Sequence, residues 1–86
     1  MIPKNITAQH ILRALDDIDR HGVPAQRQST VYDLVHNDKR YPPKYVISLA
    51  NLLANGEELD SECFGSNDAR KLLERFGFTM RRKSDR

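Results

Sequence analysis

Lys39, Arg40, Tyr41 and Lys44 crowd around the proline pair Pro42-Pro43, and Arg81, Arg82 and Lys83 follow one another near the C-terminus. Long cations of this kind hold phosphate, and phosphate attraction supplies most of the affinity of proteins for nucleic acid. Between them the residues cover the chemistry of a polyanion reader. Lys39, Arg40, Lys44, Arg81, Arg82 and Lys83 suit backbone contacts; Arg40 also suits a base edge. Tyr41 suits stacking on a base or a sugar, and equally a scaffold role in which Tyr41, Pro42 and Tyr45 are core and turn residues. A helix starting just after Pro42 would add backbone amides for a phosphate, less the one that Pro43 lacks.

No competing constellation for catalysis is visible. His10, His21 and His36 show no HxxxH spacing, and the single cysteine, Cys63, completes no metal set and no CxxC pair. Asp16, Asp17 and Asp19 are close in sequence but diverge around a helix, which makes them a solvated face. GxxxxGK[ST], GxGxxG and GxSxG are all absent. The expectation is a chain that is not itself an enzyme and needs neither metal nor cofactor.

Charge is distributed unevenly. The whole chain carries only +2, but residues 70–86 hold seven cations against Glu74 and Asp85, a local net of +5, while Glu57, Glu58, Asp60 and Glu62 form an acidic segment. Such a field orients a polyanion. At 86 residues, 38 % apolar and 30 % charged, the chain has the composition of one small globular domain. Residues 1–83 are expected to form it, with 84–86 as a frayed tail or the start of a linker. No apolar run is long enough to span a membrane, and Met1 to Thr7, with one lysine and no apolar stretch, do not read as a secretory signal. With one cysteine, the expected setting is reducing and cytoplasmic.

The elements that must position these residues follow from periodicity. Thr7 reads as an N-cap, with Ile6 and Ile11 as a staple across it. Ile11, Leu12, Leu15 and Ile18 make the apolar stripe of a helix over 8–21, closed by Gly22 and Pro24. Residues 25–30 are a polar connector. "VYDLVH" is a strand, with Val31, Asp33 and Val35 on one side and Tyr32 and Leu34 on the other. Asn37 to Lys39 read as a turn, Arg40 and Tyr41 as a short returning strand that Pro42 ends. Pro43 opens a second helix with Val46, Leu49, Ala50 and Leu53 inward, flanked by Tyr45 and Leu52 and stopped at Asn55-Gly56. Cys63 and Phe64 anchor the acidic loop on the core. Ser66 caps a third helix bearing Ala69, Leu72, Leu73 and Phe76, which Gly77 closes; "FTMRR" is a last alternating strand. The order α-β-β-α-α-β describes an α+β domain, three helices on a two- or three-stranded antiparallel sheet, with an all-helical bundle as the alternative.

One resemblance covers nearly all of this. "YDLVHNDKRYPPKYVISLANLLANGEEL", the later Phe64-Gly65 pair and "LLERFGF" resemble the N-terminal head domain of McrA-like type IV, modification-dependent HNH restriction endonucleases. The residues in common with that pattern are Tyr32, Arg40, Tyr41, Pro42, Pro43, Lys44, Leu49, Ala50, Phe64, Leu73, Gly77 and Phe78; the first helix with its "GVP" exit is similar too. Among relatives the domain precedes modules that read modified or phosphorothioate DNA, and a nuclease. None of those segments is present in this sequence. The resemblance implies a DNA-binding or specificity module for the restriction of modified DNA in bacterial defence against phage, its partner being double-stranded DNA. A proline-aromatic patch and an acidic loop also suit a protein partner or the rest of a nuclease, so an interaction or assembly module is the second reading.

Overall fold

The computed structural model describes residues 2–28 and 31–83. The proposed tail at 84–86, with Ser29 and Thr30 of the connector, lies outside the described residues. The first helix, α1, spans Ala8–His21. Its N-terminus is closed reciprocally: the His10 N–H donates to Thr7 Oγ1 (3.4 Å), and the Thr7 N–H donates to His10 Nδ1 (3.1 Å). His10 thus serves as the acceptor of a capping box. Ile6 and Ile11 are both buried, as a staple requires. Gly22 ends the helix at φ +79°, ψ −172°, a conformation open to little besides glycine.

Strands β1 (Tyr32–His36) and β2 (Lys39–Tyr41) form a hairpin whose two loop residues, Asn37 and Asp38, both have positive φ, +52° and +65°. That is the handedness a two-residue hairpin turn needs. Lys39 is therefore the first residue of the returning strand, opposite His36, and not part of the turn. Helix α2 (Pro43–Asn55) begins directly at Pro43 and ends at Gly56 in the left-handed region. Helix α3 spans Ser66–Arg75. Its cap is Gly65, whose N–H donates to Asp68 Oδ2 at 3.2 Å, so the cap stands one residue before the expected Ser66. At its end the Phe78 N–H reaches Leu73 O (3.0 Å) and the Gly77 N–H reaches Glu74 O (3.0 Å), a Schellman closure that turns the chain into β3, Thr79–Arg82.

The strands pair antiparallel in the order β2-β1-β3, so the last strand joins the first and β1 is central. Three strands do pair, and the chain is α+β, not a helical bundle. The register places Leu34 opposite both Tyr41 and Met80, on the face toward the helices. Asp33, Val35, Arg40, Thr79 and Arg81 share the other face. Beneath the sheet the core gathers Ile11, Ala14, Leu15 and Ile18 from α1, Val46, Ile47, Leu49 and Ala50 from α2, Ala69 and Leu73 from α3, and Phe64. Burial of each large aliphatic side chain contributes about 1.5–3 kcal/mol.

Three packing expectations change, the first being Leu12, which belongs to the expected apolar stripe of α1 and is exposed at 44 %. Leu53 is exposed at 40 %, while Ile47, Ser48 and Asn51 are buried. Ser48 and Asn51 are covered because the acidic loop folds over their side of α2. Ser48 Oγ donates to Leu59 O (2.6 Å) and Asn51 Nδ2 donates to Glu57 O (2.8 Å). Of the two loop residues expected to anchor, Phe64 does and Cys63 is exposed. Among the described residues no helix is long and apolar enough to cross a membrane.

Candidate nucleic-acid interface

The corner between β2 and α2 is built by sequence grammar. Pro42 lacks an N–H and stops the ladder after three residues; Pro43 takes the first helical position, where its missing N–H costs nothing. The pleat then sends the three β2 side chains alternately to opposite faces of the sheet.

Tyr41 points inward. It is 3 % exposed, and its hydroxyl donates to Asp19 Oδ1 of α1 at 2.9 Å. Burial, then the hydrogen bond and the negative charge of Asp19, push its phenol up to about 12. The stacking role expected for Tyr41 is therefore corrected: the ring is a pillar between sheet and first helix, with no open face for a base. Lys39 leans to the same side and its ammonium lies 3.5 Å from Asp19 Oδ1. Arg40 goes to the outer face, where Nη1 meets Asp33 Oδ2 at 3.0 Å. Asp33 is only 4 % exposed, so the arginine lies over a buried carboxylate.

Lys44, in the first turn of α2, is half-buried with its ammonium 5.1 Å from the centre of the Phe64 ring. It borders a small hollow of about 50 Å³ together with Arg27, Tyr32, Pro42, Pro43 and Ser66. Arg27 is the residue that sequence reasoning missed. Its guanidinium donates to Ser48 Oγ (2.8 Å), lies 3.5 Å from Glu58 and stacks 4.9 Å from the centre of the Tyr45 ring. Burial foremost, then Glu58, raises the Tyr45 phenol. The signal was Ser48 and Asn51, two polar residues three apart in an otherwise apolar helix followed at once by an acidic loop.

Arg81 and Arg82 are exposed on β3, opposite Asp33 and Tyr32 respectively. Among the described residues neither has a carboxylate within 4 Å, whereas Arg20, Arg27, Lys39, Arg40 and Arg70 each have one. The Lys83 N–H donates to Val31 O at 2.9 Å and extends the pairing by one residue. Arg70 closes the inner side, its guanidinium 5.5 Å from the centre of the Tyr32 ring. The expected site thus divides. Arg40 and Arg81 come together on the open face, with Arg82 and Lys83 along the adjoining edge. Lys39 and Lys44 stand apart, one against α1 and one at the hollow.

The other groups weighed for chemistry are accounted for. His21 lies 3.6 Å from Asp17, and His36 packs edge-on against Phe78 at 5.7 Å between ring centres. Among the described residues no three His, Cys, Asp or Glu side chains are placed to hold a metal ion. A family model described as the ScoMcrA-like N-terminal head domain matches residues 4–82. No curated protein and no solved structure matches the chain.

Proposed function

Because this chain belongs to the ScoMcrA-like N-terminal head-domain family, we propose that it is a non-catalytic module that binds double-stranded DNA in the service of restriction of modified DNA. The observation that carries the reading is the state of β3: Arg81 and Arg82 stand exposed, with no carboxylate of the described residues within 4 Å. Arg40 joins Arg81 on the same open face, two strands across and two residues along, which is roughly 12 Å at ordinary strand spacing and rise. Cations held on a sheet suit phosphates better than side chains on a mobile loop, because less ordering is needed on binding.

In this reading Arg81, Arg82 and Lys83 supply the phosphate contacts and Arg40 supports them from β2. Lys39 and Lys44 widen the positive field. With Tyr41 in the core, the described residues of this face offer no stacking platform, and the expected binding is governed by charge. Three phosphate contacts give a slope of log affinity against log salt near −3, so affinity falls on the order of 40-fold between about 50 and 200 mM salt. The experiment is fluorescence anisotropy with plain, methylated, hydroxymethylated and phosphorothioate duplexes over that range, on the wild type and on Arg81→Ala with Arg82→Ala. The double variant is expected to flatten the slope to about −1 without changing the melting temperature. An absence of binding, or a slope the double variant leaves intact, overturns the proposal.

A further inference from the structure

A second surface, on the opposite side of α3 from the hollow that Lys44 and Ser66 border, has a different composition. Asp68, Lys71, Leu72 and Arg75 line one depression of about 390 Å³ with Ile2; Leu72, Arg75 and Ile2 continue into another of about 530 Å³ with Lys4 and Phe76. The shared residues make the two depressions one trough, bounded by α3 on one side and the N-terminal segment on the other. On α3 the lining positions are spaced by three and four, one helix face, which gives a length of roughly 12 Å.

The floor and the rim differ in kind. Ile2, Leu72 and Phe76 are apolar and half-buried against the core, leaving part of each open to a partner. Lys4, Lys71 and Arg75 are exposed, and among the described residues no carboxylate lies within 4 Å of any of them. The one acid on the rim, Asp68, is engaged with the Gly65 N–H at 3.2 Å. An apolar floor wastes the contacts of a sugar-phosphate backbone, but it matches side chains spaced along a helix. A rim of one sign selects the charge of what lies above the floor.

We infer that this trough docks a short acidic amphipathic helix from another polypeptide, with two apolar residues one turn apart on Leu72 and Phe76 and flanking carboxylates on Lys4, Lys71 and Arg75. The inference is independent of the DNA reading, since it uses none of the β2 and β3 cations.

The test uses a fluorescein-labelled synthetic peptide of about 12 residues, helix-forming, with leucines at i and i+4 and glutamates at the flanks; a control peptide replaces the glutamates by lysines. The acidic peptide is expected to bind at least about 10-fold more tightly than the basic one. Lys71→Glu with Arg75→Glu should reverse that preference while the circular dichroism spectrum stays that of the folded protein, because both side chains are exposed. Arg81→Ala with Arg82→Ala should leave peptide binding unaltered. Equal binding of the two peptides, binding of neither, a preference that survives the charge reversal, or displacement of the peptide by a plain DNA duplex would each overturn the assignment.

Discussion

Replacing Tyr41 by Phe removes one oxygen and little else. The ring, 3 % exposed, still fills its place opposite Leu34; what disappears is the 2.9 Å hydrogen bond to Asp19. A hydrogen bond to a charged acceptor contributes about 1.5–3 kcal/mol. Asp19 is 35 % exposed and keeps Lys39 at 3.5 Å, so the lower end applies. In a domain of this size about 1.5 kcal/mol lowers the melting temperature by roughly 6–12 °C near neutral pH. The pH dependence is the sharper test. The folded protein holds the phenolic proton up to about 12, while in the unfolded chain the proton leaves near the ordinary tyrosine value of 10.0. Above that value the unfolded state binds fewer protons, so the wild type loses stability as pH rises, on the order of 2–3 kcal/mol by the time the folded phenol ionises. Tyr41→Phe has no such component. The wild type should be the more stable protein at neutral pH, the gap should close as pH passes about 11, and the order should reverse beyond it. Urea unfolding followed by circular dichroism at a series of pH values measures this. A gap that stays constant with pH, or no gap at pH 7, refutes the pillar role of Tyr41.

Arg40→Ala should lower stability by about 1 kcal/mol through loss of the 3.0 Å hydrogen-bonded ion pair to Asp33; thermal unfolding reads this, and an unchanged melting temperature would count against the pairing. This also means that loss of DNA binding in an Arg40 variant has to be judged against its stability, as Arg81 and Arg82 variants do not. Gly22→Ala should cost on the order of 1–3 kcal/mol through backbone strain alone, since an added methyl would meet nothing within 4 Å. Asp38→Gly should stabilise the hairpin by roughly 0.5 kcal/mol, by relieving a positive φ at a residue with a side chain, visible as a higher urea midpoint at constant slope.

The order of elements was legible because each boundary carries its own local chemistry. Thr7, Gly22, Pro43, Gly56 and Gly77 punctuate the chain whatever the tertiary structure does. Facing was less legible. Leu53 satisfies the helical period of α2 as well as Ile47 does, and periodicity alone does not show that Ile47 is the one in the core while the acidic loop returns onto Ser48 and Asn51. The same limit applied to the site. Alternation along β2 separates Arg40 from Tyr41, but which of them meets the helices depends on the register with β1, and that register is a long-range fact. Arg27 was invisible because its partners Ser48, Tyr45 and Glu58 are far away in sequence.

The sheet has two edges, and each is closed to further strands by a different means. On β2 the ladder is three residues long and stops at a proline, so little unpaired backbone remains. On β3 the strand is longer, and the guard is electrostatic: Arg81 and Arg82 make a second copy of the same strand repel the first. The cations assigned to phosphate thus also keep the folded protein from templating its own aggregation. Neutralising them to test the proposed DNA binding therefore also leaves β3 an unprotected edge. Such a variant should be compared with the wild type at low concentration, where self-association through β3 does not imitate a loss of binding.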